Sequence, residues 1–184
     1  MENATLIPPA LTTVSSEYFT LSEMMYKTSN GITENIEVLP VNFYNLLLTD
    51  LNNDPQAKRG LDRLNIKGEA NRVNKHYDCN YSMFDGSSDV SACGSSLGPK
   101  EYGPCPKRET CKAHGLLCKI PGGLTVRQVQ IAIRIALGQS DYQICLELFI
   151  SQDTLRSHKN NIEEKIGAKG KVAIGVWAVK NKLI

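Results

Sequence analysis

Cysteine is the residue type best placed to do chemistry in this chain, and its distribution is uneven. Cys79, Cys93, Cys105, Cys111 and Cys118 crowd into one stretch, while the sixth, Cys145, stands alone in an apolar segment. PCPKRETCKAHGLLC gives the pattern Cys105-x5-Cys111-x6-Cys118. A structural zinc site takes four thiolate or imidazole ligands, commonly in closer pairs, so a fourth ligand must come from elsewhere. Cys79, in HYDCNYSMFDG, is the first choice, which makes Cys79, Cys105, Cys111 and Cys118 the expected zinc ligands. Cys93, His76 and His114 are the substitutes. Two other readings stand beside structural zinc. Four thiolates suit an iron–sulfur cluster or a thiol redox sensor, with Lys107 and Arg108 favouring anionic sulfur. The cysteines can also be unliganded. A catalytic metal is not expected, because four cysteines close the coordination shell and no H-x-E stands beside a C-x-x-C.

The elements that must carry these residues read as three regions: 1–75, 76–123 and 124–184. At 184 residues, with 41% apolar and 22% charged side chains, the chain has the composition of one globular domain or two small ones. No apolar run reaches the roughly 18 residues of a membrane span. MENATLIPPALTTVSSEY has neither a basic start nor an apolar core of a secretory signal, so a cytoplasmic protein without membrane contact is expected. In the first region SSEYFTLSEMMYK suggests a short helix capped by Ser15 or Ser16, in an arm that is otherwise poorly patterned. Phe43, Leu46, Leu47 and Leu51 give a helical apolar face. Asp54-Pro55 has the form of a cap and first-turn proline, opening a second helix through Leu61, Leu64 and Ile66. The second region, rich in Gly, Ser and Pro, is a long loop that something must tie down, and a metal held by its cysteines is the natural candidate.

The third region is strongly helical. Thr125 with Gln128, and Ser140 with Gln143, fit capping boxes. Gly138 and Gly167 fit helix ends, and Ser151 an N-cap with Asp153 in its first turn. A last helix spans 171–182, with Val172, Val176 and Val179 on one face. From Leu124 onward nine Lys or Arg stand against five Asp or Glu, a local net charge of +4 in a chain of net +2. Such a tail suits an anionic partner.

Here a resemblance enters. Leu124-Thr125-x-Arg127, Gly138-x-Ser140, Ile144-Cys145, Ile150-Ser151, Thr154-Leu155, His158, Asn161-Ile162, Lys165 and Ile166-Gly167 stand in the order of the LuxR/FixJ-type, GerE-like helix-turn-helix domain, which the last third of the chain resembles. Gln128 and Gln130 depart from the family's usual acidic residues, so a local salt bridge is expected to be missing. Cys145 replaces a small alanine. Gly170 stands where a better cap is common, so a loose start is expected for the last helix.

The resemblance implies a four-helix DNA-binding domain over the last third of the chain; with the patterning and the cysteines of the first two regions, a mainly α protein is expected, in which that domain stands behind a helical N-terminal region and a Cys-rich, metal-bound loop module. The resemblance implies a transcription regulator whose helix 152–166 enters the major groove of duplex DNA. Leu155, Ile162 and Ile166 would dock that helix. Arg156 can fork onto a guanine edge, Asn160 can pair with adenine, and Ser157 can bond several base edges. Ser151 and Gln152 at the helix start, with Thr154, Lys159, Lys165 and Lys169, are candidates for phosphate. His158 is expected to be a half-buried helix residue. The resemblance also implies a homodimer face on the last helix, although its apolar residues and Trp177 can equally complete the core. The competing reading is a metal- or redox-responsive interaction protein, whose Cys-rich module binds protein or RNA and whose helix-turn-helix serves assembly. An enzyme is not expected, since Asp85 and Asp89 have no recognised catalytic spacing and read as turn residues.

Overall fold

The stretch SSEYFTLSEMMYK, expected as a short helix, is extended in the computed structural model, which describes residues 15–103 and 105–184. Strands β1 (Ser16–Leu21), β2 (Met24–Ser29) and β3 (Ile32–Ile36) form an antiparallel sheet in that order. The turns explain the difference. Ser22 and Glu23 have φ of 50° and 67°, and Asn30 and Gly31 have 52° and 75°. Two successive left-handed residues make the two-residue hairpin whose twist matches paired strands, and Asn-Gly is a favoured sequence for it. Tyr18, Phe19, Thr20, Tyr26 and Thr28 are good strand formers. The register sets Phe19 opposite Tyr26, with ring centroids 5.4 Å apart. The start of the arm, with Pro8 and Pro9, lies outside the described residues.

The sheet and three helices make a first compact unit, which comprises the described chain up to Glu101 together with Leu116–Cys118. Helix α1 (Val41–Asn52) buries Phe43, Leu47 and Leu51, and Leu46 is half-buried. Helix α2 (Pro55–Arg63) opens as expected: the Asp54 carboxylate accepts from the backbone N–H groups of Gln56 and Ala57 at 3.0 and 2.9 Å. It ends sooner than expected, with Leu64 as its C-cap and Ile66 beyond it. Helix α3 (Glu69–Asn80) runs five residues into the stretch expected to be loop, so His76 and Cys79 are helical. Val73, His76, Tyr77 and Asn80 form its buried face. Tyr18 of β1 stacks on Phe43 at 4.2 Å, and Phe43 meets Tyr77 edge-on at 5.9 Å.

This unit also buries ionisable side chains. Glu17, 0% exposed, accepts from the N–H groups of Asp85 and Gly86 at 2.7 and 2.8 Å. Asp89, 2% exposed, accepts from Tyr18 N–H at 2.6 Å. Asp85 and Asp89 thus belong to turns tied to β1. His76 Nε2 lies 2.6 Å from the Asp50 carboxylate, and the Lys100 ammonium stands 3.0 Å from both Asp50 and Asp54.

The second compact unit comprises Tyr102–Gly115 and Lys119–Ile184. After a single 3-10 turn, Pro121–Gly123, come α4 (Val126–Ala136), α5 (Asp141–Leu148), α6 (Gln152–Ile166) and α7 (Lys171–Lys180). Their core is almost all hydrocarbon: Leu124, Val129, Ile131, Ile135, Ile144, Leu148, Leu155, Ile162 and Ile174. Both expected capping boxes form. Gly138 and Gly167 adopt φ of 80° and 67° at the ends of α4 and α6. Arg108 lies 4.4 Å over the Tyr102 ring and donates to the Leu183 carbonyl at 3.0 Å.

The chain is mostly helical, with a sheet that the hydropathy pattern did not suggest. The residues expected to form a separate Cys-rich module, 76–123, are shared between the two units. Among the described residues no helix is long and apolar enough to cross a membrane.

Candidate nucleic-acid interface

Helices α5 and α6 are joined by a three-residue turn whose geometry rests on Phe149 and Ser151. Phe149 takes φ 53° and closes α5 as a left-handed cap. The Arg127 guanidinium donates to the Leu148 carbonyl at the same end, placing a cation where the helix dipole favours one. The Ser151 hydroxyl then accepts the Thr154 N–H at 3.1 Å and starts α6.

Leu155, 1% exposed, and Ile162, 0% exposed, dock α6 on the core, with Ile166 partly buried beside them. Along its outer side Gln152, Asp153, Thr154, Arg156, Ser157 and Asn160 are exposed. The Arg156 side chain is 75% exposed, and its contact with Asp153, at 3.7 Å, is loose. The Ser157 hydroxyl donates to the Asp153 carbonyl at 3.0 Å, which leaves its oxygen as an acceptor. His158 is half-buried. Helix α6 holds Arg156, Lys159 and Lys165 against Asp153, Glu163 and Glu164, so any attraction for an anion comes from the placement of charge rather than from its sum.

The three lysines are not alike. Lys159 Nζ sits 2.8 Å from Asp141, which opens α5, and this hydrogen bond pulls the Asp141 carboxyl below the usual range. Lys165 Nζ donates to the Gly123 carbonyl at 2.9 Å and to the Gln128 side-chain oxygen at 3.0 Å. Where the family's usual acid would give an ion pair, Gln128 offers a neutral acceptor. Lys169 is exposed and makes no ion pair with any described residue. Gly170, at φ 92°, leaves α7 without a side-chain cap of its own, but its N–H reaches the Glu163 carboxylate at 3.0 Å.

Two apolar features lie outside this polar edge. On α7, Val172, Val176 and Val179 are 80%, 49% and 54% exposed, while Ile174 and Ala178 are buried and Trp177 packs partly into the core. The three valines flank a shallow groove with Ala136, Lys171, Gly175 and Lys180. On α5, Tyr142, Leu146 and Phe149 are 65%, 57% and 94% exposed. The sequence reading gave none of these three residues a functional role. The spacing of these three by 4 and 3 residues, on the side of α5 away from Ile144, was the available signal.

The cysteines behave differently from the expectation. Among the described residues no three His, Cys, Asp or Glu stand together so as to hold a metal ion. Cys79, Cys105, Cys111 and Cys118 are not gathered into one such group among the described residues. Several candidates have other partners. His76 bonds Asp50, and His114 Nε2 meets the Tyr102 hydroxyl at 2.8 Å. Cys93 Sγ lies 2.8 Å from the Ser95 hydroxyl, and Cys105 is exposed. The Cys79 thiol is hydrogen-bonded to Cys118.

Residues 123–178 match the family described as bacterial regulatory proteins, luxR family. The oxygen regulatory protein NreC of Staphylococcus aureus strain JH9, and that of strain USA300, are each 36% identical to this chain over 61 residues, or 33% of this chain and 28% of theirs. The chain thus aligns with little more than a quarter of the length of the curated relatives it matches. No solved structure matches it.

Proposed function

Residues 123–178 are a domain of the luxR family of bacterial regulatory proteins, and on that premise we propose that the protein regulates transcription by binding duplex DNA with α6 in the major groove. The observation that carries this reading is the division of α6. Two fully buried side chains, Leu155 and Ile162, dock it, and Gln152, Arg156, Ser157 and Asn160 are left facing solvent. Arg156, held only by a loose surface contact, is free to fork onto a guanine edge, and Asn160 onto adenine. Ser157 contributes an acceptor. The N–H groups at Ser151 and Gln152, with Thr154 and Lys169, suit phosphate. Lys159 and Lys165 serve first as ties within the domain, and reach a phosphate only by leaving Asp141 and Gln128. The exposed valines of α7 supply the face for a homodimer, whose two copies of α6 would read two half-sites.

Selection of bound duplexes from a random-sequence pool tests the reading. A defined site should be enriched, with log affinity falling linearly against log salt. On that site Arg156→Ala should cost about 1–3 kcal/mol and relax specificity at one base pair. No enrichment, or an Arg156→Ala loss equal on all sequences, would sink the role given to α6.

A further inference from the structure

Cys79 and Cys118 are half-buried and hydrogen-bonded to each other within the first unit. Their positions make the pair more than a neighbourhood. Cys79 lies in the last turn of α3, whose inner face is fixed by the fully buried His76 and Tyr77. Cys118 ends Leu116–Cys118, the only described residues after Glu101 that belong to the first unit. That three-residue strap is seated tightly. Leu117 is 2% exposed, and a Cβ on Gly60 of α2 would stand 3.0 Å from both Leu117 Cβ and Leu117 N. The strap is therefore held in a notch that only glycine leaves open, with its terminal sulfur against α3.

We propose that Cys79 and Cys118 are a reversible dithiol–disulfide pair that staples the strap to α3 when the protein meets a hydroperoxide. One thiol attacks the peroxide oxygen, the O–O bond breaks, and a sulfenic acid and one water form. The second thiol attacks that sulfur and gives up its proton. The S–S bond forms, the S–O bond breaks, and the oxygen leaves as a second water. Two thiols and one hydrogen peroxide thus become one disulfide and two waters, with sulfur oxidised and peroxide reduced. The bond closes a loop of about 40 residues, the kind of crosslink that restrains a chain most. The hydrogen bond to Cys118, with burial, holds the Cys79 thiol well above its usual range. Cys79 therefore rests protonated at neutral pH and responds slowly to weak oxidants, since the thiolate is the reacting form. Exposed Cys93, whose thiol is drawn down to about 7 by hydrogen bonds from Ser91 and Ser95, ionises more readily but has no second cysteine sulfur bonded to it. None of this depends on what the luxR-family domain binds.

The test uses the full chain, purified and reduced without oxygen, then titrated with hydrogen peroxide and quenched with an alkylating agent. Free thiols should fall from the six of the sequence to four. Non-reducing digestion should yield one crosslinked pair of peptides carrying Cys79 and Cys118, and dithiothreitol should restore all six thiols. Cys118→Ser, and separately Cys79→Ser, should abolish that crosslink, and trypsin should cut after Lys119 more slowly in the oxidised wild type than in the reduced. The wild-type comparison stands even where a variant fails to fold. Crosslinks formed mainly through Cys93, Cys105, Cys111 or Cys145 would overturn the proposal. So would full alkylation of Cys79 and Cys118 after peroxide, or stoichiometric zinc or iron that must be stripped before the disulfide can form.

Discussion

The two units are stabilised by different means. In the second, the buried side chains are aliphatic apart from Arg108 and Gln128, and the helix-start hydrogen bonds span three residues: Thr125 to Gln128, Ser140 to Gln143, Ser151 to Thr154. In the first, Glu17, His76, Asn80, Asp89 and Glu101 are buried, and several of their bonds join residues far apart in the chain. Tyr18 and Asp89 are 71 residues apart, and Glu17 and Asp85 68. A hydrocarbon core loses stability in proportion to the volume removed. A core with buried carboxyls also depends on protonation. The second unit should thus respond to pH chiefly at acid values, where Asp141 takes up a proton and lets go of Lys159, while the first should respond up to alkaline pH.

The largest expected effect is a truncation. Ile162→Ala should cost about 2–5 kcal/mol, confined to the second unit's transition in urea unfolding followed by far-ultraviolet circular dichroism. A loss shared by both transitions would break the comparison.

Next comes the pH dependence of the first unit. Burial pushes the Asp89 carboxyl up to about 9, helped by the nearby Glu101 and Glu17 carboxylates and opposed by Tyr18 N–H. Its folded value lies above the ordinary carboxylate value of about 3.9, so the native state keeps a proton that the unfolded chain releases. That contribution is complete below about pH 3.9 and is lost as pH rises toward 9. Asp89→Asn, which keeps an acceptor for Tyr18, should flatten this limb and stabilise the first unit at pH 8 by about 2–4 kcal/mol. Asp50 runs the other way. Burial alone would raise it, but hydrogen bonds from His76 and Lys100 hold it at about 2. Its contribution is present above about pH 3.9 and lost as pH falls toward 2. Unfolding midpoints measured from pH 3 to pH 9 check both signs. A first unit whose midpoint does not move between pH 5 and pH 9 would contradict the assignment of Asp89.

The smallest effect is local. Gln128→Glu should replace the neutral acceptor of Lys165 with a charge in the first turn of α4, adding about 0.3–1 kcal/mol to the second unit. The gain should fade at high salt, and thermal unfolding at two ionic strengths reads it.

The same contrast governs how much was legible in the sequence. Thr125/Gln128, Ser140/Gln143, Ser151 and Asp54-Pro55 were readable because cap and partner lie within three residues, and they located four of the helix starts. Leu155 and Ile162 were readable because a thin stripe on a polar helix has one use. The sheet was missed although Asn30-Gly31 announced a hairpin, since serine before a mixed apolar stretch also looks like a helix start. The turn of α3 that carries His76 and Cys79 was missed because its buried face is polar, and apolar periodicity cannot report a polar contact. The cysteine set was less legible for a related reason. Spacing along the chain says which sulfurs can meet, but not that His76 is committed to Asp50 or that Cys79 meets Cys118.

Gly122, at φ 63°, comes so close to the indole that a Cβ there would stand 2.7 Å from Trp177. This is the chain's one tryptophan, and it lies in the second unit. Tyr18, Tyr26, Tyr44, Tyr77 and Tyr81, five of the seven tyrosines, lie in the first. The molecule therefore carries one reporter confined to the second unit and another weighted toward the first. Indole emission shifts to the red when the Pro121–Gly123 turn lets go of α7, and phenol emission follows the sheet and its helices. One unlabelled sample can time the loosening of each half separately.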